Sequence, residues 1–329
     1  MNTFKSFFYY EIFHSNQSNF DQLALRLFQY QAAHNAIYKS YITNLGIKVD
    51  TITKVEQIPF LPIAFFKNQE VKTGVWNHEV LFRSSGTTGQ LTSSHYLRDK
   101  EFYLMNTENI FNYFYGDLQS YHFLALLPSY LDRDNSSLVM MADSFIKKSQ
   151  SQYSDFYLDD YDRLLHTIRS IDDGRKILLL GVSFALLDIA EKYHPDLRGV
   201  IVMETGGMKG RRREMIKAEL HEVLKGSYNV ETIYSEYGMT ELLSQAYSKG
   251  NGIFQSPPWM KIMLRDINDP FDVSGTRSSG GINVIDLANI DSCAFIETQD
   301  LGKMHENNQF EVMGRFDNSD VRGCNLLVL

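Results

Sequence analysis

KILLLGVSFALLDIAEKYHPDLRGVIVMET, residues 176–205, carries the clearest structural signal in the chain. Its two apolar runs, 176–180 and 199–203, have the length of buried strands, and residues 181–193 between them have the apolar spacing of a helix. Two strands joined through a helix run parallel, because the helix returns the chain to the end of the sheet from which the next strand starts. The segment therefore predicts a strand–helix–strand unit of a parallel sheet.

The same alternation extends on both sides of this unit. Helices are predicted at 19–45 (one or two), 99–115, 158–171 and 211–224, and a further strand at 121–127. Short strand-like segments separated by Gly, Asn and Asp follow at 261–264, 281–286, 294–297 and 309–313. The pattern predicts an α/β fold with mixed sheets flanked by helices, divided into an α/β core over 1–250 and a smaller β-rich subdomain over 251–329.

Length and charge narrow the class of protein. The chain has 329 residues, and 43% are hydrophobic, which is enough for a large core. With 32 basic and 40 acidic residues its formal charge is −8, which argues against a nucleic-acid-binding protein. An anionic ligand would have to be met by local positive charge.

Cysteine content and hydropathy predict a soluble protein of the reducing cytoplasm. Cys293 and Cys324 are the two cysteines and no C-x-x-C pair occurs, so neither a disulfide framework nor a zinc site is supported. The longest strongly apolar run, 177–190, is too short to span a bilayer and contains Asp188. Residues 1–13 carry Glu11 and lack a small-residue cleavage site, which argues against a signal peptide.

Four hydroxyls and two glycines lie within six residues at 84–89, directly after an apolar run. Glycines allow a tight turn that brings backbone N–H groups close to an anion, and Ser and Thr hydroxyls add further donors. Such clusters also form ordinary turns. The loop is therefore a candidate phosphate site that needs a second signal.

That second signal is Tyr234-Ser235-Glu236-Tyr237-Gly238-Met239-Thr240-Glu241. An aromatic ring can stack on a base, a threonine can donate to a phosphate oxygen, and a glutamate can hold the magnesium ion that accompanies ATP. A strand end followed by a helix cap would explain the octapeptide equally well if it stood alone. Together with the loop at 84–89 it favours a nucleotide site.

Five motifs occur in the order of the core motifs of the adenylate-forming superfamily. They are Ser84-Ser85-Gly86-Thr87-Thr88-Gly89, Thr205-Gly206-Gly207-Met208, Tyr237-Gly238-Met239-Thr240-Glu241, Thr298-Gln299-Asp300 and Gly314-Arg315-Phe316-Asp317. The chain resembles that superfamily, and within it most resembles the acyl-protein synthetase branch typified by bacterial fatty-acid reductase complexes. Segments 28–31, 58–67 and 321–326 support the closer resemblance, which covers nearly the whole chain as a single adenylating domain, 1–329.

The resemblance implies a cleft where ATP and Mg²⁺ meet a carboxylic acid, and it assigns a role to each motif. Ser84, Ser85, Thr87 and Thr88 would cradle the β- and γ-phosphates, with Gly86 and Gly89 in the same cofactor-binding loop. Gly206 and Gly207 would line the adenine and acyl pocket, Tyr237 would stack on adenine beside Gly238, and Thr240 would contact the α-phosphate. Glu241 would bind Mg²⁺, Asp300 the ribose hydroxyls, and Arg315 would lie near ribose and phosphate.

The implied reaction is attack of a carboxylate, that of a fatty acid, on the α-phosphorus of ATP, giving an acyl-adenylate and pyrophosphate. Typical members continue into a small mobile domain with a catalytic lysine, whereas this sequence ends soon after Arg315. In the acyl-protein branch a cysteine near the C-terminus accepts the acyl group as a thioester, and Cys324 occupies that place. The positive charge of Arg322 would favour its thiolate. The implied partner is an acyl-reductase or acyl-transferase protein.

Three alternatives stay open at this point. Related ligases with the same motifs make aryl- or acyl-coenzyme A, and a noncatalytic subunit could bind nucleotide or acyl group without turnover. A serine hydrolase is a third alternative, because residues 181–185 follow a strand and open a helix with Ser183 at the turn. That enzyme would need an acid and one of His194, His221 or His305.

Overall fold

The computed structural model describes residues 3–84, 92–127, 135–206, 215–273 and 277–316. The helices in these ranges are α1 Thr3–Glu11, α2 Phe20–His34, α3 Ala36–Asn44, α4 Phe65–Asn68, α5 Lys100–Tyr115, α6 Ser137–Lys148, α7 Tyr161–Ser170, α8 Ser183–Tyr193 and α9 Lys217–Tyr228. The strands are β1 Leu61–Pro62, β2 Val80–Arg83, β3 Ser94–Leu97, β4 Tyr121–Leu126, β5 Asp155–Phe156, β6 Lys176–Val182, β7 Val200–Thr205, β8 Tyr234–Tyr237, β9 Ala246–Ser248, β10 Ile253–Gln255, β11 Met260–Arg265, β12 Ser279–Asp286, β13 Phe295–Met304 and β14 Phe310–Arg315. None of these helices is both long and apolar enough to cross a membrane.

Short polar side chains set where several helices begin. The side chains of Asn35, Asp99, Ser136 and Asp160 each accept a hydrogen bond from the backbone N–H three residues further on. Asn35 is itself extended, with φ −99° and ψ 109°. The predicted helical stretch at 19–45 therefore divides into α2 and α3 at this residue.

The strand–helix–strand unit predicted from residues 176–205 is confirmed. β6 and β7 are parallel neighbours, with Leu178 opposite Ile201, and α8 connects them. β5, β4, β6, β7 and β8 lie side by side in that order and run parallel. β4 is buried along all six residues, as expected for a strand covered on both faces.

The strands after residue 250 continue the same sheet. β9 pairs antiparallel with β8, and β10, β14, β13, β12 and β11 follow in antiparallel order. The observed fold is thus the predicted mixed α/β architecture, with the parallel strands on one side and the antiparallel strands on the other. A division into subdomains at residue 250 stays a prediction.

A separate two-stranded hairpin, β2 and β3, carries the candidate phosphate loop. The strands pair antiparallel from Val80 opposite Leu97 to Arg83 opposite Ser94. Beyond that last pair, Ser84 N donates to Ser93 O at 3.0 Å, and Ser93 N donates to Ser84 Oγ at 2.8 Å. Two hydrogen bonds between Ser84 and Ser93 therefore join the chain on the two sides of residues 85–91.

Two elements end later in the chain than the sequence pattern predicts. α9 passes Leu224 and Gly226 and ends at Tyr228, because Asn229 takes the left-handed conformation, φ 57°, that terminates helices. The predicted strand at 294–297 extends as β13 to Met304, since β14 pairs with its second half. The motif Thr298-Gln299-Asp300 thus lies within a strand, where its alternate side chains face opposite sides of the sheet.

Candidate active site

Two of the predicted motifs lie at the carboxyl ends of neighbouring parallel strands. β7 ends at Thr205 and is followed by Gly206, and β8 ends at Tyr237 and is followed by Gly238. In open α/β sheets, ligands bind outside the carboxyl ends of the strands. The sheet therefore brings these motifs together at the edge where a ligand is expected.

Tyr237, Asp300 and Arg315 form a contact set that joins three motifs. Tyr237 Oη donates to Asp300 Oδ2 at 2.8 Å, and Arg315 Nε lies 3.1 Å from Asp300 Oδ1. Asp300 and Arg315 are also paired residues of β13 and β14. Burial raises the pKa of Asp300, and the charge of Arg315 and the Tyr237 hydrogen bond oppose this shift. The Arg315 side chain is 67% exposed, so its charge is available to a ligand in the cleft.

The ring of Tyr237 is held against the antiparallel part of the sheet. Its centroid lies 5.8 Å from that of Phe254 and 5.6 Å from that of Phe310, and the residue is 8% exposed. Gly238 beside it is exposed. Stacking of Tyr237 on adenine stays a prediction, and it would use the small part of the ring that packing leaves open.

Thr240 is tied to the hairpin through a buried histidine. His95 Nδ1 lies 2.8 Å from the backbone oxygen of Thr240. Burial lowers the pKa of His95 to about 4, so the ring is neutral at pH 7 and Nδ1 carries the proton that Thr240 O accepts. This bond fixes the backbone of the Tyr237–Glu241 motif relative to β3.

Glu241 is buried at the same place and makes a second connection to the hairpin. Its carboxylate is hydrogen-bonded by the Ser93 side chain. Burial raises its pKa, the charge of Arg315 opposes this, and the charge of Asp300 adds to it. Glu241 and Asp300 are thus electrostatic neighbours despite lying in separate motifs.

These two carboxyl groups fit the chemistry of a magnesium nucleotide. The charge of Asp300 raises the pKa of Glu241, and a carboxyl group with an acidic neighbour is a favourable environment for a cation. Mg²⁺ is usually held by one or two carboxylates together with substrate phosphates. The described ranges contain no cluster of three or more His, Cys, Asp or Glu side chains that could hold a metal without such help. Glu241 is therefore a candidate ligand only in the presence of phosphate.

Several predicted residues lie outside the described ranges. They are Ser85, Gly86, Thr87, Thr88 and Gly89 of the loop, Gly207, and Cys324. Ser84 closes the base of the loop, as described above, and Gly206 has φ +68° with its oxygen accepting from Ser183 Oγ at 3.2 Å. The Ser84–Ser93 closure and the Ser93–Glu241 contact bring the base of the loop next to the candidate metal ligand.

A buried polar network that the sequence analysis missed lies behind the ends of β7 and β8. Glu204 is ion-paired with Lys217, lies 3.4 Å from His221 Nε2, and is 1% exposed. Burial raises the pKa of Glu204, but Lys217 and hydrogen bonds from its neighbours outweigh it and bring the pKa to about 2. One signal for this network was present in the sequence, because Glu204 directly follows the apolar run at 199–203.

The serine-hydrolase alternative lacks its geometry among the described residues. Ser183 Oγ contacts Glu204 Oε2 at 3.4 Å and the oxygen of Gly206, but no histidine. His221 contacts Glu204 and Ser235 through the same nitrogen, Nε2, whereas a triad needs one ring nitrogen for the acid and the other for the nucleophile. Ser183 is therefore a strand-to-helix turn residue.

Comparison with known proteins places the fold. No protein-family model and no curated protein sequence matches the chain. Among solved structures it is similar to ATP-bound MatB from Rhodopseudomonas palustris, with 14% identity and a TM-score of 0.54 over 71% of this chain and 47% of that one. It is equally similar to an ATP-bound RpMatB-BxBclM chimera, B3, with 14% identity and a TM-score of 0.55 over 74% of this chain and 49% of that one.

The chain spans about half the length of the structures it matches. At this identity the similarity concerns the fold alone. The chain has the mixed α/β large-domain fold of adenylate-forming enzymes.

Proposed function

We propose that the chain is an ATP-dependent acid–thiol ligase, which converts a carboxylic acid to an acyl-adenylate and passes the acyl group to a thiol. The observation that carries this proposal is the contact set of Tyr237, Asp300 and Arg315 beside Glu241. These residues come from three motifs and converge at the carboxyl ends of the parallel strands. The fold shared with ATP-bound MatB supports it.

The first half of the reaction needs charge neutralisation more than it needs a base. A carboxylic acid is already ionised at neutral pH, so its oxygen can attack the α-phosphorus directly while pyrophosphate departs. Arg315 would supply positive charge toward the phosphates from its exposed position. Mg²⁺, held through Glu241, would neutralise phosphate charge when bound. Asp300, fixed by Tyr237, would accept from the ribose hydroxyls.

For the substrate and the acceptor we propose a fatty acid and a protein thiol. Both follow from the resemblance to acyl-protein synthetases, in which Cys324 or a reductase partner would carry the acyl group. Transfer to coenzyme A is the second candidate, because related ligases that share these motifs use that acceptor. A nucleotide- or acyl-binding subunit without turnover is the remaining alternative.

Carboxylate-dependent exchange of label between pyrophosphate and ATP tests the adenylation step. The purified chain with Mg²⁺ is expected to catalyse exchange with one class within a panel of fatty and aryl acids. A folded chain that binds ATP and catalyses no exchange with any acid would support the binding subunit instead.

The acceptor is tested separately by acyl labelling. Labelled acid and ATP should give a hydroxylamine-labile label on the wild-type chain and none on Cys324→Ser. Label that persists on the variant would refute Cys324 as acceptor, and release of acyl-coenzyme A without protein label would favour the coenzyme A ligase.

A further inference from the structure

Glu236 has no role in the reaction as described so far, although it is a buried carboxyl group next to Tyr237 of the candidate site. It is the last residue of β8 before Tyr237, and its strand partner in β7 is Thr205. Thr205 Oγ1 donates to Glu236 Oε2. A Cβ atom on Gly238 would lie 2.5 Å from Glu236 Oε1. The carboxyl group therefore spans two strand ends and lies directly against the exposed backbone of the Tyr237–Glu241 motif.

Side chains alternate along β8, so Glu236 and Tyr237 face opposite sides of the sheet. Tyr237 faces Asp300, whereas Glu236 faces the side of α5 and β9, where it interacts electrostatically with Tyr103, Tyr115 and Tyr247. The other charged groups that act on it in the described ranges are Glu204 of β7 and Lys217 of α9. The carboxyl group is thus separate from the candidate nucleotide contacts.

The two neighbouring carboxyl groups have opposite properties. Glu204 is held ionised by Lys217 and has a pKa of about 2, which makes it a very weak base. Burial raises the pKa of Glu236 to about 7; the Thr205 hydrogen bond and Lys217 oppose this, and Glu204 adds to it. Neighbouring carboxyl groups whose pKa values are driven apart are typical of acid–base sites.

We propose that Glu236 is the general base for thiol transfer, taking the proton from the acceptor thiol as its sulfur attacks the acyl-adenylate. This inference rests on the proposed ligase function. In the step the S–H bond breaks and the proton passes to the Glu236 carboxylate, while an S–C bond forms at the acyl carbonyl. The bond from that carbon to the phosphate oxygen breaks, and AMP leaves with its electron pair.

Only the transfer of the acyl group to the thiol needs a general base. The acid enters ionised, but a thiol with a pKa of about 8.5 is mostly protonated at neutral pH. A base whose pKa is near the working pH is the effective one. Asp300 is engaged by Tyr237 and Arg315, and Glu241 by the Ser93 side chain. Thr205 engages Glu236 through Oε2, whereas Oε1 lies against the exposed Gly238, so this oxygen is the one that would take the proton.

The test compares Glu236→Gln with Glu222→Gln, a carboxyl on α9 with a 73% exposed side chain. Pyrophosphate exchange and acyl transfer to N-acetylcysteamine are measured on each preparation. The ratio of transfer to exchange should fall about 100-fold in Glu236→Gln and stay at the wild-type value in Glu222→Gln. An arylthiol that is ionised at the assay pH needs no base, so with it the deficit of Glu236→Gln should disappear.

A second variant keeps the test valid if Glu236→Gln folds poorly. Thr205→Val removes a hydrogen bond that lowers the pKa of Glu236. The rise in the rate of acyl transfer with pH, which is expected near pH 7, should therefore move to higher pH. An unchanged ratio in Glu236→Gln, a deficit that the arylthiol does not restore, or a rise with pH that Thr205→Val does not move would each overturn the proposal. Absence of exchange in the wild type would instead overturn the ligase function on which it rests.

Discussion

Tyr237 Oη donates a 2.8 Å hydrogen bond to Asp300 Oδ2, which ties the end of β8 to β13, 63 residues away in sequence. β8 belongs to the parallel strands and β13 to the antiparallel ones. The bond therefore crosses the site from one part of the sheet to the other. It also gives a buried carboxyl group a donor that water cannot replace.

Tyr237→Phe should lower the free energy of unfolding by about 1–3 kcal/mol, because it leaves one oxygen of a buried carboxyl group without its donor. The pKa of Asp300 should rise further, since the tyrosine hydroxyl lowers it in the wild type. Urea unfolding at pH 7 measures the first effect. If Asp300 binds ribose, the affinity for ATP should also fall.

The matched control is Tyr10→Phe, at a tyrosine that is 64% exposed. Its free energy of unfolding should stay within about 0.5 kcal/mol of the wild type. Equal stability of the two variants would mean that the Tyr237–Asp300 bond contributes nothing.

Gly238→Ala should be destabilising by about 1–3 kcal/mol, because the added Cβ would lie 2.5 Å from Glu236 Oε1 and that carboxyl group is held by Thr205. Gly226→Ala is the control, and its expected effect on stability is neutral or opposite in sign. Gly226 lies in α9 with no atom within 4 Å of its added Cβ, so the change should be neutral or stabilise by up to about 1 kcal/mol. Thermal unfolding of both variants checks the difference, and a Gly238→Ala variant as stable as Gly226→Ala would contradict it.

The sequence predicts some of the parallel strands around the candidate site but not all of them. Apolar periodicity identified β4, β6 and β7 to within two residues at each end, because buried parallel strands are continuous apolar runs. β8 was not recognised as a strand, since Tyr234, Ser235 and Glu236 do not form such a run. Its position comes from pairing with β7, which is a long-range contact that no local pattern encodes.

The polar groups behind the site were missed for a related reason. Glu204 and Lys217 are 13 residues apart, and charged residues at that spacing are ordinarily solvent-exposed. They meet because Lys217, the first residue of α9, lies beside Glu204 near the end of β7. The motif residues, by contrast, could be recognised from the sequence, because their residue types and their order along the chain are themselves the signal.

Lys217→Met should lower the free energy of unfolding by about 3–5 kcal/mol at pH 7, because it leaves the buried charge of Glu204 without its partner. Lys225→Met is the control on the same helix. Lys225 pairs with Glu222, which is 73% exposed, so its loss should cost less than about 1 kcal/mol.

Acid should reduce the difference in the free energy of unfolding between Lys217→Met and the wild type. The folded pKa of Glu204 is about 2 and its ordinary value is 4.5, so the ion pair stabilises fully above about pH 4.5 and loses its contribution as the pH falls toward 2. Denaturant unfolding from pH 7 to pH 3 checks this. A difference that stays constant over that range would contradict the assignment of the buried charge to Glu204.

His95 should make the wild type sensitive to mild acid. Its folded pKa is about 4 and its ordinary value is 6.5, so between these values the unfolded chain binds a proton that the folded chain does not. Stability should fall by about 3 kcal/mol from this group as the pH drops from 6.5 to 4. His95→Asn keeps a donor for the Thr240 oxygen but removes this titration. The variant should be less stable than the wild type at pH 7, and this difference in the free energy of unfolding should shrink by the same amount near pH 4.

The control is His78→Asn, at an exposed histidine. Its free energy of unfolding at pH 7 should stay within about 0.5 kcal/mol of that of the wild type. Protonation of the ring adds a proton at Nε2 and leaves Nδ1 donating to Thr240 O, so the link between the hairpin and the Tyr237–Glu241 motif should persist until the chain unfolds. A loss of stability in His95→Asn that is independent of pH would show that the ring is not buried in its neutral form.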